Sequence, residues 1–270
     1  MKTLLFVLLC LAAVYGFLAW PHLPRRSIAH LTGYDYAHRG LWNDVLPENS
    51  LPAFQHAVDN GFGIELDVHL TRDDQLVVFH DDTLMRMCGV DRPICDMTLS
   101  ELRQLRLKGS EYGIPTLEEV LSVVGGKVPL IVEIKPDKRL DELCAKTCAM
   151  LKAYGGPFCV ESFHPLAVHW FRKNEPAIIR GQLAYGLGQG RKVNAVNVLV
   201  GTLMQNVAGR PDFIAYRFED RKCLSLRLCR ALYGAQEFSW TIRSKEVMDT
   251  AEADGALVIF EQFDPRGKDK

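Results

Sequence analysis

Beyond about residue 33 the chain alternates short, β-branched apolar runs with stretches whose apolar residues recur every three or four positions. That alternation is the signature of strands and helices taken in turn around a parallel sheet. Strands are expected at Tyr34–His38, Gly63–Leu70, Leu76–Phe79, Pro129–Ile134, Phe158–Phe163, Ile178–Leu183, Asp212–Tyr216, Phe238–Ile242 and Ala256–Phe260. Helices are expected at Ser50–Asn60, Leu99–Leu107, Thr116–Val124, Leu140–Tyr154, Pro165–Arg172, Leu224–Leu232 and Ser244–Ala253. Ser50 and Ser244 suit N-caps, Pro165 suits a first helical turn, and Gly61 and Gly155 suit helix ends.

The fold class this implies is α/β, a (β/α)₈ TIM barrel with nine candidate strands for eight places, so one of them is wrong or lies outside the barrel. The join between Leu70 and Leu76 is too short for a helical crossover, which takes about a dozen residues. The barrel is therefore expected to be irregular there. Within Arg191–Ala208 the run NAVNVLVGTLM fits helix or strand. Residues 84–113, with mixed charge, cysteine and turn residues after a strand end, read as a small insertion near the barrel mouth.

The N-terminus breaks the alternation. Thr3 to Trp20 is an uncharged run of 18 residues, near the lower limit for a membrane-spanning helix. Residues 1–20 are accordingly read as a single-pass transmembrane anchor or uncleaved signal, residues 21–33 as a tether and residues 34–265 as the barrel domain. A cleaved signal peptide, with Lys2 as its charged start and a small-residue site near Gly16, is the competing reading. Lys2 and the α-amine on one side oppose Arg25 and Arg26 on the other, so the positive-inside rule does not decide the orientation.

Eight cysteines are scattered without CxxC spacing, and seven of them follow the leader, an odd number. They read as small buried apolar residues in a reducing compartment, which favours a cytoplasmic catalytic domain. At 270 residues and 48% hydrophobic, the chain can bury one large core. Its 32 basic and 33 acidic residues nearly cancel, which argues against nucleic acid as a partner. Oligomeric state is not encoded in any pattern of the sequence.

Two strands carry polar groups where the apolar face alone would suffice. In Gly63–Leu70, Ile64, Leu66, Val68 and Leu70 share one face and Glu65, Asp67 and His69 the other; Glu133 and Lys135 alternate with Val132 and Ile134 in the same way. Helices cover the outside of a barrel, so these groups are expected inside it, near the C-terminal strand ends where barrel active sites lie. Converging carboxylates repel unless protonated or bridged by a cation. Glu65, Asp67 and Glu133 offer hard oxygen ligands suited to Mg2+ or Ca2+. His38 and His80 each end an apolar strand and read as an acid/base pair at the same mouth. His69 is read as lying beyond the site. Arg39 and Lys135 suit a phosphate group, or serve as ion-pair partners of the same carboxylates.

In this order and spacing the residues resemble the glycerophosphodiester phosphodiesterase family. The resemblance rests on His38-Arg39-Gly40, Pro47-Glu48-Asn49-Ser50, Glu65-Leu66-Asp67-Val68, Thr71-Arg72-Asp73, Val78-Phe79-His80-Asp81, Ile114-Pro115-Thr116-Leu117, Val132-Glu133-Ile134-Lys135, Glu161-Ser162-Phe163 and Trp240-Thr241. It implies a TIM-barrel phosphodiesterase that releases glycerol 3-phosphate and an alcohol. By motif position it implies His38 and His80 as catalytic, Glu65, Asp67 and Glu133 as ligands of a divalent cation, and Arg39 and Lys135 on the phosphate. Glu48 would orient the metal or Arg39, and Phe163 and Trp240 would form apolar walls. The expected partner is a small-molecule or lipid phosphodiester; the anchor makes a lysophospholipase D or phospholipase C-like activity on membrane lipids the alternative. Two departures stand out: Asp73-Asp74 replaces the usual Asp-Gly turn, and Phe260-Glu261-Gln262-Phe263 replaces a Thr-Asp pair after the last strand.

Overall fold

The computed structural model describes residues 1–187 and 193–267. An N-terminal helix, α1 (Lys2–Ala19), is followed by β1 (Tyr36–His38), α2 (Leu51–Asp59), β2 (Gly63–Leu70) and β3 (Leu76–Val78). Two short helices, α3 (Met85–Cys88) and α4 (Leu99–Leu102), precede α5 (Leu117–Val124). Then come β4 (Leu130–Ile134), α6 (Leu140–Tyr154), β5 (Phe158–Ser162), α7 (Pro165–Asn174), β6 (Arg180–Ala184), α8 (Ala195–Gly201) and α9 (Asn206–Gly209). The chain ends with β7 (Phe213–Arg217), α10 (Leu224–Tyr233), β8 (Gln236–Ile242), α11 (Lys245–Ala253) and β9 (Leu257–Phe260).

Eight strands pair in parallel in the order β1-β2-β4-β5-β6-β7-β8-β9, and β9 returns to β1 to close the barrel. The ninth candidate strand, β3, lies outside it. It pairs antiparallel with the last residues of β2, Val68↔Val78 to Leu70↔Leu76, so Thr71–Gln75 is a hairpin turn and needs no crossover. The expected irregularity is thus an appendage: β2 overruns the barrel rim and folds back on itself. Asp74 takes up the left-handed conformation (φ 65°) that glycine supplies in such turns, while Thr71 Oγ1 accepts from Gln75 N and donates to Asp73.

Local signals account for most helix boundaries. Ser50, Ser244 and Thr116 accept from the third residue of the helices they precede, and Gly155 closes α6 in the left-handed region. Leu99–Leu107 is shorter than expected: a Thr98/Glu101 capping box starts α4, but the helix stops at Leu102, which is buried within the insertion. Leu84, Met87, Ile94, Met97, Leu102 and Leu107 form a core there with Val77 and Phe79, so packing overrides helical periodicity. The ambiguous run is helical over Ala195–Gly201; Arg191 and Lys192 lie outside the described residues.

Alternation along the strands sorts the core into two layers. Ile64, Leu66, Val68, Leu130, Val132 and Ile134 point outward onto Phe54, Val120, Leu143 and Cys144 of the surrounding helices. Tyr36, Ile131, Cys159, Phe213, Phe238 and Ile259 fill the barrel interior, with Leu31 against them at the end where the strands begin. Gly63 and Gly181 leave room for rings in this inner layer, since a Cβ on either would come within 2.7 Å of Tyr36 or 2.1 Å of Phe213. That filled lower half confines the polar interior to the mouth. All eight cysteines are free thiols, four of them buried.

Candidate active site

Inside the barrel, β2 presents Glu65 and Asp67, and the neighbouring β4 presents Glu133 in register with Asp67. Glu161 of β5 stands in register with Glu133. One oxygen from each of Glu65, Asp67 and Glu133 lies within 4.8 Å of the others, and all three side chains are buried. Lys135, just past the end of β4, places Nζ 3.0 Å from Asp67 Oδ1 and 2.8 Å from Glu133 Oε1.

Arg39 contacts Glu48 (2.8 Å) and Asp67 (3.6 Å). Both cations therefore pair with the acidic cluster, as the ion-pair reading expected, while Arg39 also faces the mouth cavity. The backbone bends sharply here: Arg39 (φ 61°) and Asn49 (φ 54°) occupy the left-handed region, unusual for side-chain-bearing residues and common at functional sites. That geometry brings Asn49 N to Arg39 O (2.9 Å) and the Asn49 amide to Asp67 Oδ2 (2.8 Å).

His38 and His80 both reach the mouth, by different routes. His38 ends β1 and puts Nε2 3.8 Å from Glu65 Oε2. His80 is not at the end of a barrel strand; β3 runs downward, and Phe79 N bonds Asp67 O, which returns His80 from the projecting hairpin to the level of the cluster. Each histidine is held through Nδ1 by a carboxylate at 2.6 Å, Glu261 for His38 and Asp81 for His80. Behind these lie arginines: Arg243 Nη2 is 2.6 Å from Glu261, and Arg86 spans Asp81 (2.6 Å) and Glu48 (2.6 Å). His69 is buried with Nε2 directed to the His80 carbonyl at 3.5 Å and does not line the cavity, in keeping with a place beyond the site.

The mouth is a cavity of about 390 Å³ bounded by these groups, with Phe163 and Trp240 meeting edge to face (5.6 Å) on one wall. Trp42 and Lys108 add a second aromatic and a cation, 5.6 Å apart.

Charge and burial together set unusual protonation. Burial first, then Asp67, Glu133 and Glu161, pushes Glu65 well above the ordinary carboxylate range. Burial, opposed by Lys135 and reinforced by Asp67, raises Glu133 to about 7. Burial also acts to raise Asp67, but Lys135, His80, Arg39 and the Asn49 amide hold it well below its usual value. Desolvation lowers both His38 and His80, opposed by Glu261 at His38 and by Asp67 and Asp81 at His80. Glu161 is raised by burial and by Glu133, and its Oε2 has no hydrogen-bond partner among the described residues. Four buried carboxylates facing Lys135 and Arg39, the latter shared with Glu48, are a donor set with too little positive charge. The cluster thus fits a hard divalent cation, with Glu65, Asp67 and Glu133 as its oxygens.

His38, Arg39, Glu48, Glu65, His80, Glu133, Phe163 and Trp240 line this mouth, Asp67 and Lys135 reach it through ion pairs with Arg39 and Glu133, and His69 lies beyond it. Sequence reasoning overlooked Glu261, Asp81, Arg86, Asn49, Arg243 and Glu161 as contributors. Glu261 directly follows the last apolar strand and His38 ends the first, and Asp81 is adjacent to His80, so strand-end polarity was an available signal for both. Arg86 comes from the insertion, and no periodicity marks it.

Fold and site together define a barrel enzyme whose mouth pairs two carboxylate-anchored histidines with a buried acidic cluster. Residues 38–180 match the model of the glycerophosphoryl diester phosphodiesterase family. A glycerophosphodiester phosphodiesterase of Caldanaerobacter subterraneus subsp. tengcongensis is 32% identical over 231 residues, covering 79% of this chain and 87% of the relative. A human lysophospholipase D is 35% identical over 131 residues, 44% of this chain and 40% of that protein. An Oleispira antarctica phosphodiesterase, solved with its product sn-glycerol-3-phosphate, superposes with a TM-score of 0.70 at 25% identity, covering 84% of this chain and 92% of that one. The chain belongs to the glycerophosphoryl diester phosphodiesterase family and is a phosphoric diester hydrolase.

Proposed function

We propose that this enzyme hydrolyses glycerophosphodiesters to glycerol 3-phosphate and an alcohol, with His38 and His80 as its acid/base pair. The observation that carries this reading is the matched pair of histidines, each with Nδ1 engaged by a carboxylate and Nε2 left for chemistry, above the acidic cluster. One imidazole takes the proton of the attacking hydroxyl as its oxygen bonds to phosphorus. The other, entering the step as an imidazolium, gives its Nε2 proton to the departing alkoxide as the phosphorus–oxygen ester bond breaks, and proton exchange with solvent then restores both histidines. Positioned proton transfers of this kind contribute about 10²–10⁴-fold each.

A divalent cation held by Glu65, Asp67 and Glu133 would neutralise charge on the phosphodiester oxygens. Arg39, whose guanidinium is anchored on Glu48, and Lys135 present N–H groups to the same oxygens. Phe163 and Trp240 exclude water from one side and shape the space for the alcohol. The catalytic part corresponds to residues 34–265.

The test is release of glycerol 3-phosphate from glycerophosphocholine and glycerophosphoethanolamine. His38→Ala and His80→Ala should each lose at least about 10²-fold in kcat, and chelation should abolish turnover. Retention of most activity by either variant, or indifference to chelator, would sink the assignment. A second reading, lysophospholipase D activity on membrane lipids, is favoured by α1, an 18-residue apolar helix only 6% buried that we read as a membrane anchor. The partial similarity to a human lysophospholipase D supports the same reading.

A further inference from the structure

Most of the barrel's outer helices turn charged residues to solvent, as Lys245, Glu246, Asp249 and Glu252 of α11 do. Large apolar side chains left exposed are concentrated elsewhere. Outside the N-terminal segment, Val45, Met85, Leu166, Leu187, Val193 and Leu224 are between 41% (Leu187) and 80% (Val193) exposed, as are Val196 and Leu199 on α8 and Leu232 near the end of α10. The positions of the first six in the topology coincide. Val45 follows β1, Met85 lies in the insertion beside the mouth residue Arg86, Leu166 opens α7 after β5, Leu187 and Val193 follow β6, and Leu224 opens α10 after β7. Those six thus stand at the end of the barrel where the strands finish, around the cavity, and none lines it, whereas Leu232 lies near the end of α10 where β8 begins. Scattered single exposures are ordinary, whereas a ring of them around one opening marks an interaction surface.

α1 indicates what covers that ring. The carbonyls of its last turn, which a helix cannot satisfy internally, are met by barrel side chains: Tyr233 on Gly16 (3.1 Å), Arg210 on Phe17 and Trp20 (2.7 Å each) and Asn206 on Ala19 (2.9 Å). Tyr15 donates to Thr202 O (3.0 Å), Ala19 is buried among Val200, Leu203 and Cys229, and Trp20 stacks on Tyr233. The helix is therefore seated in a socket, not hung from a slack tether. That socket lies in the sector between β6 and β8, from which Leu187, Val193 and Leu224 also project. Exposed Lys222 and Arg227 flank Leu224 and add positive charge suited to anionic headgroups.

Resting on the phosphodiesterase reading above, we infer that the mouth rim is a bilayer-docking surface, held against the membrane by the socketed helix, and that the enzyme takes lipid-borne glycerophosphodiesters directly from it. Apolar side chains buried in the interfacial layer bind by the same transfer energetics that drive folding.

The test uses the full chain in phosphatidylcholine/phosphatidylglycerol vesicles containing lysophosphatidylcholine, with water-soluble glycerophosphocholine as the second substrate. The triple variant Leu166→Ser, Leu187→Ser, Leu224→Ser should lose about tenfold or more on the vesicle-borne lipid and stay within about twofold on the soluble diester. Amide hydrogen exchange should show residues 163–169 and 222–227 protected in vesicles relative to detergent in the native protein but not in the variant. Equal loss on both substrates, no loss on either, or a change of oligomeric state caused by the variant would overturn the inference. Wild-type turnover of the soluble diester without turnover of the vesicle lipid would overturn it too and leave the phosphodiesterase reading intact. Turnover of neither substrate with the rim protected would support docking and sink the phosphodiesterase reading instead.

Discussion

Replacing Glu261 by glutamine removes one negative charge and almost no volume, and it isolates what the carboxylate does for His38. Glu261 Oε2 sits 2.6 Å from His38 Nδ1, both side chains are largely buried, and Arg243 fixes the other oxygen at 2.6 Å. A charge-assisted hydrogen bond of this kind is worth about 1.5–3 kcal/mol, and each 1.36 kcal/mol is tenfold in rate. If the bond strengthens as His38 gains its proton, Glu261→Gln should lower kcat by about 10- to 100-fold. The loss falls toward the lower end, because a glutamine oxygen still accepts from Nδ1–H. KM should move much less, since Glu261 anchors a histidine and not the phosphate. Burial first, then Arg39, lowers the His38 pKa, and Glu261 opposes them. Its removal therefore lowers that pKa further and shifts the acidic limb of the kcat/KM profile to lower pH. The assay is steady-state release of glycerol 3-phosphate between about pH 5 and 9, with Glu261→Asp as the conservative control. An unchanged kcat, a loss confined to KM, or an acidic limb displaced to higher pH would refute the reasoning.

Two further outcomes are expected. Glu133 is raised to about 7 in the folded protein from an ordinary value of 4.5, and Glu65 and Glu161 are also raised. Over that window the metal-free fold binds more protons than the unfolded chain. The stability these groups contribute is full below about pH 4.5 and lost as pH rises through about 7. Cation binding releases those protons, so an excess of Mg2+ or Ca2+ should raise Tm more at pH 8 than at pH 5.5 in a calorimetric scan; equal gains at both would count against the site. Arg86→Ala strips Asp81 of its cation and leaves Glu48 with Arg39 alone. Because Arg86 is 43% exposed, the lost pairs should cost no more than about 1–2 kcal/mol of stability, a few degrees in Tm, while activity falls about tenfold. A larger thermal shift with full activity would make the arginine structural only.

Much of this site was legible because period-two alternation in Gly63–Leu70 and Leu130–Ile134 both exposes the anomaly and tells which way it points. The same alternation does not report strand direction. Leu76–Phe79 therefore read as one of nine candidates for eight barrel places, and the end of that strand as equivalent to the end of β1. Only the antiparallel pairing Val68↔Val78 explains how His80 comes back to the cluster. Arg86 was illegible for another reason. Its role depends on how the insertion packs on Val77 and Phe79, a long-range matter that local pattern does not encode. The socket for α1 was equally hidden, since Asn206, Arg210 and Tyr233 look like ordinary surface residues until the barrel closes around them.

The fold-back of β2 onto β3 has a bearing on assembly. Closure of the eight-stranded ring brings Glu65, Asp67, Glu133 and His38 together, but it does not need β3, which makes no barrel pair beyond β2. Half of the proposed acid/base pair is thus delivered by a local hairpin with its own small core. In refolding, recovery of the native far-UV signal from the barrel is expected to precede recovery of catalysis, the second waiting on the hairpin. Over longer times the same independence lets the segment around His80 vary in length and composition without disturbing the ring that carries the acidic cluster.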